Sequence, residues 1–363
     1  MLPDGCIPTL ITPFDGKGGI DYDAVDALVE WHVASGCVGL FSPCLSSEMF
    51  ELTPEERLGL AAHVKKRLGG RGVCVATGTY GGSIEDQAEF VNQIAPCCDA
   101  VVVNTATLVP EEADDKAWQE AASRLLELTG SVPLGLYECP VPYKRLLTPA
   151  LIGWCARTGR FHFHKDTSCS MEAITAKLEA IKSVASPFRF YNANVETLLP
   201  SIRAGGNGFS GISANFYPHL LAWLCTAARR EAASAAELQT ASKRVRGSDL
   251  PRAVQREVQL AAKRAPEAAL ERVQDFFALA EATVCVRYPA SAKQYLSLDH
   301  GLHSPKTPAK GDGAMPMLTS IACRTKGPDG VPKGDAPFLE HQLVALRAMW
   351  RMQRELSAEL GIA

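Results

Sequence analysis

The chain has 363 residues, 47% of them hydrophobic and 21% charged, with a net charge of -3, which suits a globular protein with one sizeable domain and an appendage. That balance gives no electrostatic reason to bind nucleic acid, and the basic run Lys65-Lys66-Arg67 falls at an expected helix end, where the helix dipole favours cations. The start, Met1-Leu2-Pro3-Asp4-Gly5, is not a basic region leading into an apolar run, and no uninterrupted apolar stretch reaches about 18 residues, so a cytoplasmic protein without a membrane partner is expected.

From residue 7 to about 225 short aliphatic runs alternate with segments of helical period. The runs fall at 7–11, 38–41, 73–76, 100–103, 132–137, 161–165, 188–191 and 208–212. Between them lie helical patterns such as 22–34, 54–67, 84–94, 111–128, 171–184 and 195–204. Thr53 with Glu56 reads as a capping box at the start of the second helix. Eight strand-helix units in this length predict an α/β chain folded as a (β/α)8 TIM barrel, with a doubly wound open sheet as the alternative. The run Gly206-Asn207-Gly208-Phe209-Ser210-Gly211 spells GxGxxG, but it leads from a helix into a strand, the reverse of a pyrophosphate-binding turn, so no nucleotide cofactor is expected.

Beyond 225 the texture changes to Ala, Arg and Glu with helical spacing through 227–246 and 257–284. The expected division is therefore a catalytic barrel at 1–225 and a C-terminal helical extension at 226–363. Within the extension a Pro/Gly-rich segment at 304–337 has no periodic element, and a final helix at about 337–360 carries an apolar stripe suited to the body or a partner subunit. The twelve cysteines are scattered and include no CxxC pair, so they read as small buried hydrophobes, with adjacent Cys97 and Cys98 the candidates for oxidation.

Candidate chemistry centres on Phe161-His162-Phe163-His164-Lys165-Asp166-Thr167. Strand alternation puts Phe161, Phe163 and Lys165 on one face, directed into the barrel mouth, and His162, His164 and Asp166 on the other. A lysine deprived of water loses its proton more readily and becomes a nucleophile. His162 and His164 lack a third ligand, so no metal is expected. One strand over, Tyr137 ends its run at the same rim, where a phenol can move protons to and from a lysine-bound intermediate. After the second strand, Ser46 and Ser47 offer hydroxyls and backbone N–H groups to a carboxylate.

Taken together, Thr9-Leu10-Ile11-Thr12-Pro13-Phe14, Gly39-Leu40, Ser46-Ser47-Glu48, Tyr137 with Pro140, Lys165, and Gly208 with Ala214-Asn215 resemble the dihydrodipicolinate synthase/N-acetylneuraminate lyase family, of which the chain is identified as a divergent member. The resemblance covers about residues 5–225, and Tyr288-Pro289 with Ala292-Lys293 is similar to the family's C-terminal part. These are class I pyruvate aldolases that form Schiff bases. The resemblance implies Lys165 as the Schiff-base lysine, Tyr137 as the proton relay, and Ser46 and Ser47 as the carboxylate loop. Asn192, Asn194 and Ser210 complete the candidate substrate-binding set. It also implies a 2-oxo acid substrate, an aldehyde partner, no cofactor, and a homo-oligomer.

Several positions depart from that family. Where it reads Gly-Thr-Thr-Gly-Glu, this chain has Cys44-Leu45-Ser46-Ser47-Glu48, so one hydroxyl is replaced by leucine. The stretch Asn104-Thr105-Ala106-Thr107-Leu108 lacks the tyrosine pair after strand four. Pro142 stands in place of the arginine that meets the second substrate's carboxylate, leaving Lys144 and Arg145 as nearby cations. Amides at Asn192 and Asn194 replace the acidic groups of sialic acid lyases. A Schiff-base lyase or aldolase other than dihydrodipicolinate synthase and sialic acid lyase is therefore expected. The alternatives are a 2-oxo-3-deoxy sugar acid dehydratase and a catalytically inactive binding homologue.

Overall fold

The computed structural model describes residues 1–245, 252–298, 315 and 317–362, with only the backbone course given for 234–245 and 252–267. Eight short strands form one parallel sheet: β1 (Gly5–Cys6), β2 (Gly39–Phe41), β3 (Val73–Thr77), β4 (Ala100–Asn104), β5 (Leu134–Tyr137), β6 (Phe161–Asp166), β7 (Phe190–Asn192) and β8 (Gly208–Phe209). The order is β1-β8-β7-β6-β5-β4-β3-β2. Val38 N donates to Cys6 O, Phe41 N to Pro8 O and Leu10 N to Phe41 O, which joins the two ends of that order into a TIM barrel.

The first run is expected as a strand over 7–11, yet the regular ladder stops at Cys6 and continues only as a bridge between Thr9 and Phe41. Pro8 has no N–H to give, so the pairing is interrupted there. At the β1–β8 seam a side chain on Gly208 would put its Cβ 1.8 Å from Gly5 O, so only glycine permits this approach of the two backbones.

Around the barrel run α1 (Tyr22–Ala34), α2 (Pro54–Leu68), α3 (Ile84–Ile94), α4 (Asp115–Leu128), α5 (Pro149–Arg157), α6 (Met171–Ile181), α7 (Leu198–Arg203) and α8 (Pro218–Val245). The expected capping box is present, with Glu56 N donating to Thr53 Oγ1 at 3.2 Å and Thr53 N to Glu56 Oε2 at 2.9 Å. The fourth helix starts later than the expected 111, because Asp114 is its cap and accepts from Ala117 N at 2.8 Å. The seventh is expected from 195 but begins at Leu198, after a turn that Asn192, Asn194 and Thr197 hold together.

Alternation along the strands builds two cores. Inward residues Ile7, Phe41, Val75, Val102, Tyr137, Phe163 and Tyr191 form the barrel interior, while outward residues such as Leu40, Cys74, Val101 and Leu136 pack on the helices. Phe41 meets the rings of Tyr137 and Phe163 edge-on at 5.6 Å each, and Phe163 stacks on Tyr191 at 5.0 Å. Nine of the twelve cysteines are buried and none is bridged.

Residue 225 lies within α8, which packs on β1 and α7. The long α9 (Arg252–Cys285) lies on α8, followed by α10 (Ala290–Ser297) and, after the irregular segment, α11 (Glu340–Leu360) against α9. Residues 304–314 and 316 of the Pro/Gly-rich segment lie outside the described residues; 317–337 contains no helix and is folded onto the barrel rim. Among the described residues no helix is long and apolar enough to cross a membrane.

Candidate active site

The register of β5 and β6 sets Tyr137 directly opposite Lys165. Both side chains enter the interior. Lys165 is 3% exposed, with Nζ 4.3 Å from the centre of the Tyr137 ring and 5.9 Å from that of Phe41. Among the described residues its ammonium meets no carboxylate. Burial therefore pulls its pKa from 10.5 down to about 8, against the opposing pull of the Cys44 and Cys139 thiols. Burial, followed by the Cys139 and Cys44 thiols, pushes the Tyr137 phenol well above its usual range, so it stays a neutral hydroxyl.

The loop expected to meet a carboxylate forms a short turn, Leu45–Ser47, and its two serines differ in their bonding. Ser47 Oγ donates to Leu10 O at 2.6 Å and accepts from Cys44 N at 3.1 Å, while its carbonyl takes the Thr12 hydroxyl at 2.9 Å. The Ser47 hydroxyl thus pins the loop to the first strand segment. The nearby Tyr288 hydroxyl lies within reach of Ser46. Glu48, which follows in the left-handed conformation (φ 59°), is fully buried; it takes Lys293 Nζ at 2.7 Å and the backbone N–H groups of Arg324 and Thr325 at 2.6 Å each. The C-terminal extension therefore holds the end of this loop.

On the outer side of the same strands lies a second charged group. Lys177 of α6 places Nζ 2.5 Å from Glu138 Oε1 and 2.6 Å from Asp166 Oδ2, with all three side chains buried. His164 Nε2 lies 3.9 and 3.8 Å from the same two carboxylates. Burial raises the Asp166 carboxyl, but His164 and the Lys177 ammonium hold it below the usual carboxylate range. Glu138, His164 and Asp166 bring one potential ligand atom each within 4.8 Å of one another, yet the ammonium already serves as the cation for the two carboxylates. Glu138 also accepts from the N–H groups of Leu147 and Thr167, so the cluster ties the end of β5 to the end of β6.

Residues 2–265 match the model of the Dihydrodipicolinate synthetase family. The chain belongs to this family. Among relatives in that family, 4-hydroxy-tetrahydrodipicolinate synthase of Marinobacter nauticus is 26% identical over 234 residues, covering 62% of this chain and 75% of the relative. The Neisseria gonorrhoeae synthase is 28% identical over 227 residues, with the same coverage of 62% and 75%. Family structures share the fold: dihydrodipicolinate synthase DapA-2 from Bacillus anthracis has a TM-score of 0.69 at 15% identity, with 97% of this chain and 99% of that one covered. YagE from E. coli K12, solved in complex with pyruvate, has a TM-score of 0.67 at 18% identity, with 98% and 99% covered.

The remaining candidates are placed unevenly. Ser210 follows β8 on its inward side, and its buried hydroxyl lacks a hydrogen-bond partner among the described residues. Asn192 does not join Lys165: Tyr191 takes the inward direction, and the Asn192 amide donates outward to Thr197 at 2.9 Å and Ser201 at 3.2 Å. Asn194 accepts from Thr197 N at 3.0 Å and the Thr197 hydroxyl at 2.9 Å, within the same turn. Arg145 is also directed elsewhere, donating to Ala113 O at 2.8 Å and Asp114 O at 3.1 Å. Thr107 bonds Thr79 at 3.0 Å and Asn104 O at 2.9 Å.

Sequence reasoning did not single out Glu138, Lys177 or the Tyr288 hydroxyl. Strand alternation alone directs Glu138 outward beside Tyr137, which was a usable signal. Nothing local marks Lys177, whose partner Glu138 is 39 positions away.

Proposed function

We propose that this member of the Dihydrodipicolinate synthetase family is a Schiff-base-forming lyase or aldolase acting on a pyruvate-type 2-oxo acid. The observation that carries the reading is the buried Lys165 amine, without a carboxylate partner among the described residues and lowered to about 8, over the Tyr137 ring. At neutral pH about a tenth of such an amine is free base, against less than a thousandth for an exposed lysine. The amine adds to the ketone carbon, and loss of water leaves an iminium that draws electrons from the neighbouring carbon. Removal of a proton there gives an enamine, whose carbon adds to an aldehyde; hydrolysis of the iminium then releases the product. The reverse sequence cleaves the same carbon–carbon bond. Tyr137 carries protons between the reacting oxygen and this intermediate as a neutral hydroxyl.

The second substrate differs from that of dihydrodipicolinate synthase or sialic acid lyase. Arg145 is bound to the start of α4 and the Asn192 and Asn194 side chains to their own turn, so none of them presents a ready partner at the mouth. Pyruvate bound by YagE, a family member, supports pyruvate as the first ligand to try. The test is turnover of 2-oxo acids with a panel of aldehydes, in the wild type and in Lys165→Ala. Carbon–carbon bond formation that disappears in the variant is expected; turnover that survives in Lys165→Ala would overturn the reading.

A further inference from the structure

The carboxylate of a 2-oxo acid has two oxygens to satisfy, and the rim loop supplies few hydroxyls. Leu45 has none, and Ser47 gives its proton to Leu10 O. Ser46 remains. A second hydroxyl comes from outside the barrel: the phenol of Tyr288, between α9 and α10, is close enough to Ser46, Thr9 and Asn215 for each to ease the loss of its proton. Asn215 Nδ2 donates to that phenol oxygen at 2.9 Å. Because the oxygen accepts there, its own proton is directed away from Asn215, and among the described residues no carboxylate or carbonyl takes it. Thr9 Oγ1 beside it is buried and has no hydrogen-bond partner among the described residues.

The position of Tyr288 is held from both sides. Arg287 is in the left-handed region (φ 53°), a strained conformation for a residue with a side chain. Its guanidinium bonds the carbonyls of Lys333, Ala336 and Pro337, and Lys333 Nζ donates to Tyr288 O at 2.8 Å. The same extension grips Glu48, next to the serine loop, through Lys293, Arg324 and Thr325. Tyr288 and the loop are thereby fixed relative to one another.

We propose that Tyr288 is a substrate-binding residue, its hydroxyl and that of Ser46 together holding the carboxylate of the 2-oxo acid bound at Lys165. The C-terminal extension is then part of the active site. The assignment rests on the Schiff-base reading of Lys165, and the test separates the two. Borohydride trapping on Lys165 is measured as a function of pyruvate concentration and, separately, of acetaldehyde, which has the carbonyl but no carboxylate, in wild type, Tyr288→Phe, Ser46→Ala and the double variant.

A hydrogen bond to a charged group predicts that Tyr288→Phe raises half-saturating pyruvate about 10- to 100-fold while acetaldehyde trapping changes by less than about twofold. The double variant is expected to lose less than the product of the single losses, since both hydroxyls serve one carboxylate. Equal half-saturation in wild type and Tyr288→Phe overturns the assignment, and so does an equal loss with both carbonyls, which marks a purely structural tyrosine. Wild-type protein that forms no adduct with either carbonyl overturns the Schiff-base reading and this assignment with it.

Discussion

Two buried lysines, Lys165 and Lys177, stand on opposite sides of the β5–β6 pair, 3% and 2% exposed. Lys177 has two carboxylates within 2.6 Å and is a structural cation. Lys165 faces aromatic rings, and burial lowers its ammonium to about 8. The same side chain, equally dry, is held as a tether or left ready to give up its proton according to whether a carboxylate shares its cavity. A third buried lysine, Lys293, follows the first pattern through Glu48 at 2.7 Å. The outer cluster also fixes the ends of the strands that carry Tyr137 and Lys165, so the paired lysine supports the placement of the unpaired one.

Removing the paired cation should have the largest effect. Lys177→Met leaves Glu138 and Asp166 buried without their counter-ion, and urea unfolding is expected to show a loss of about 3–5 kcal/mol. A loss below about 1 kcal/mol would mean that the cluster is not the tether described above.

Lys165→Met should move stability the other way. The folded state holds the Lys165 pKa at about 8 against 10.5, so the unfolded chain binds the extra proton between those values and is favoured wherever the amine is charged. The variant is expected to be more stable by up to about 3 kcal/mol at pH 7. That gain is complete below about pH 8 and fades as pH rises through 10.5. Urea midpoints at pH 7 and pH 10 for both proteins check it; the comparison fails if the variant is destabilised at pH 7.

A smaller effect comes from making the inner lysine resemble the outer one. Cys139 is close enough to Lys165 to influence its proton affinity, and Cys139→Asp would supply the missing carboxylate. Each unit by which the Lys165 pKa rises should lower the free-amine fraction at pH 7 about tenfold, and with it the rate of adduct formation. An unchanged rate, in a variant whose unfolding is otherwise normal, would show that the absence of a carboxylate is not what keeps Lys165 reactive.

Much of this was legible in the sequence, for reasons that also mark where legibility ends. Alternation in Phe161-His162-Phe163-His164-Lys165 separates the inward lysine from the outward histidines, and the strand order puts Tyr137 beside it. The same rule sends Asn192 outward, next to inward Tyr191, a consequence that a family pattern alone does not reveal. The choice between Ser46 and Ser47 was not legible, because it depends on the Leu10 carbonyl, 37 positions away. Nor was the hydroxyl of Tyr288, whose phenol meets Asn215 across 73 positions and two long helices. Local pattern sets which face a side chain takes, whereas its hydrogen-bond partners are set by tertiary contacts.

The most direct test is the distribution of a trapped adduct among the lysines. After incubation with pyruvate and borohydride, peptide mapping should find the modification on Lys165, with none on Lys177 or Lys293, and the initial rate at low pyruvate should rise with pH until about 8. An unmodified Lys165, or an adduct carried by either carboxylate-paired lysine instead, would contradict the claim that burial without a counter-ion makes Lys165 the nucleophile.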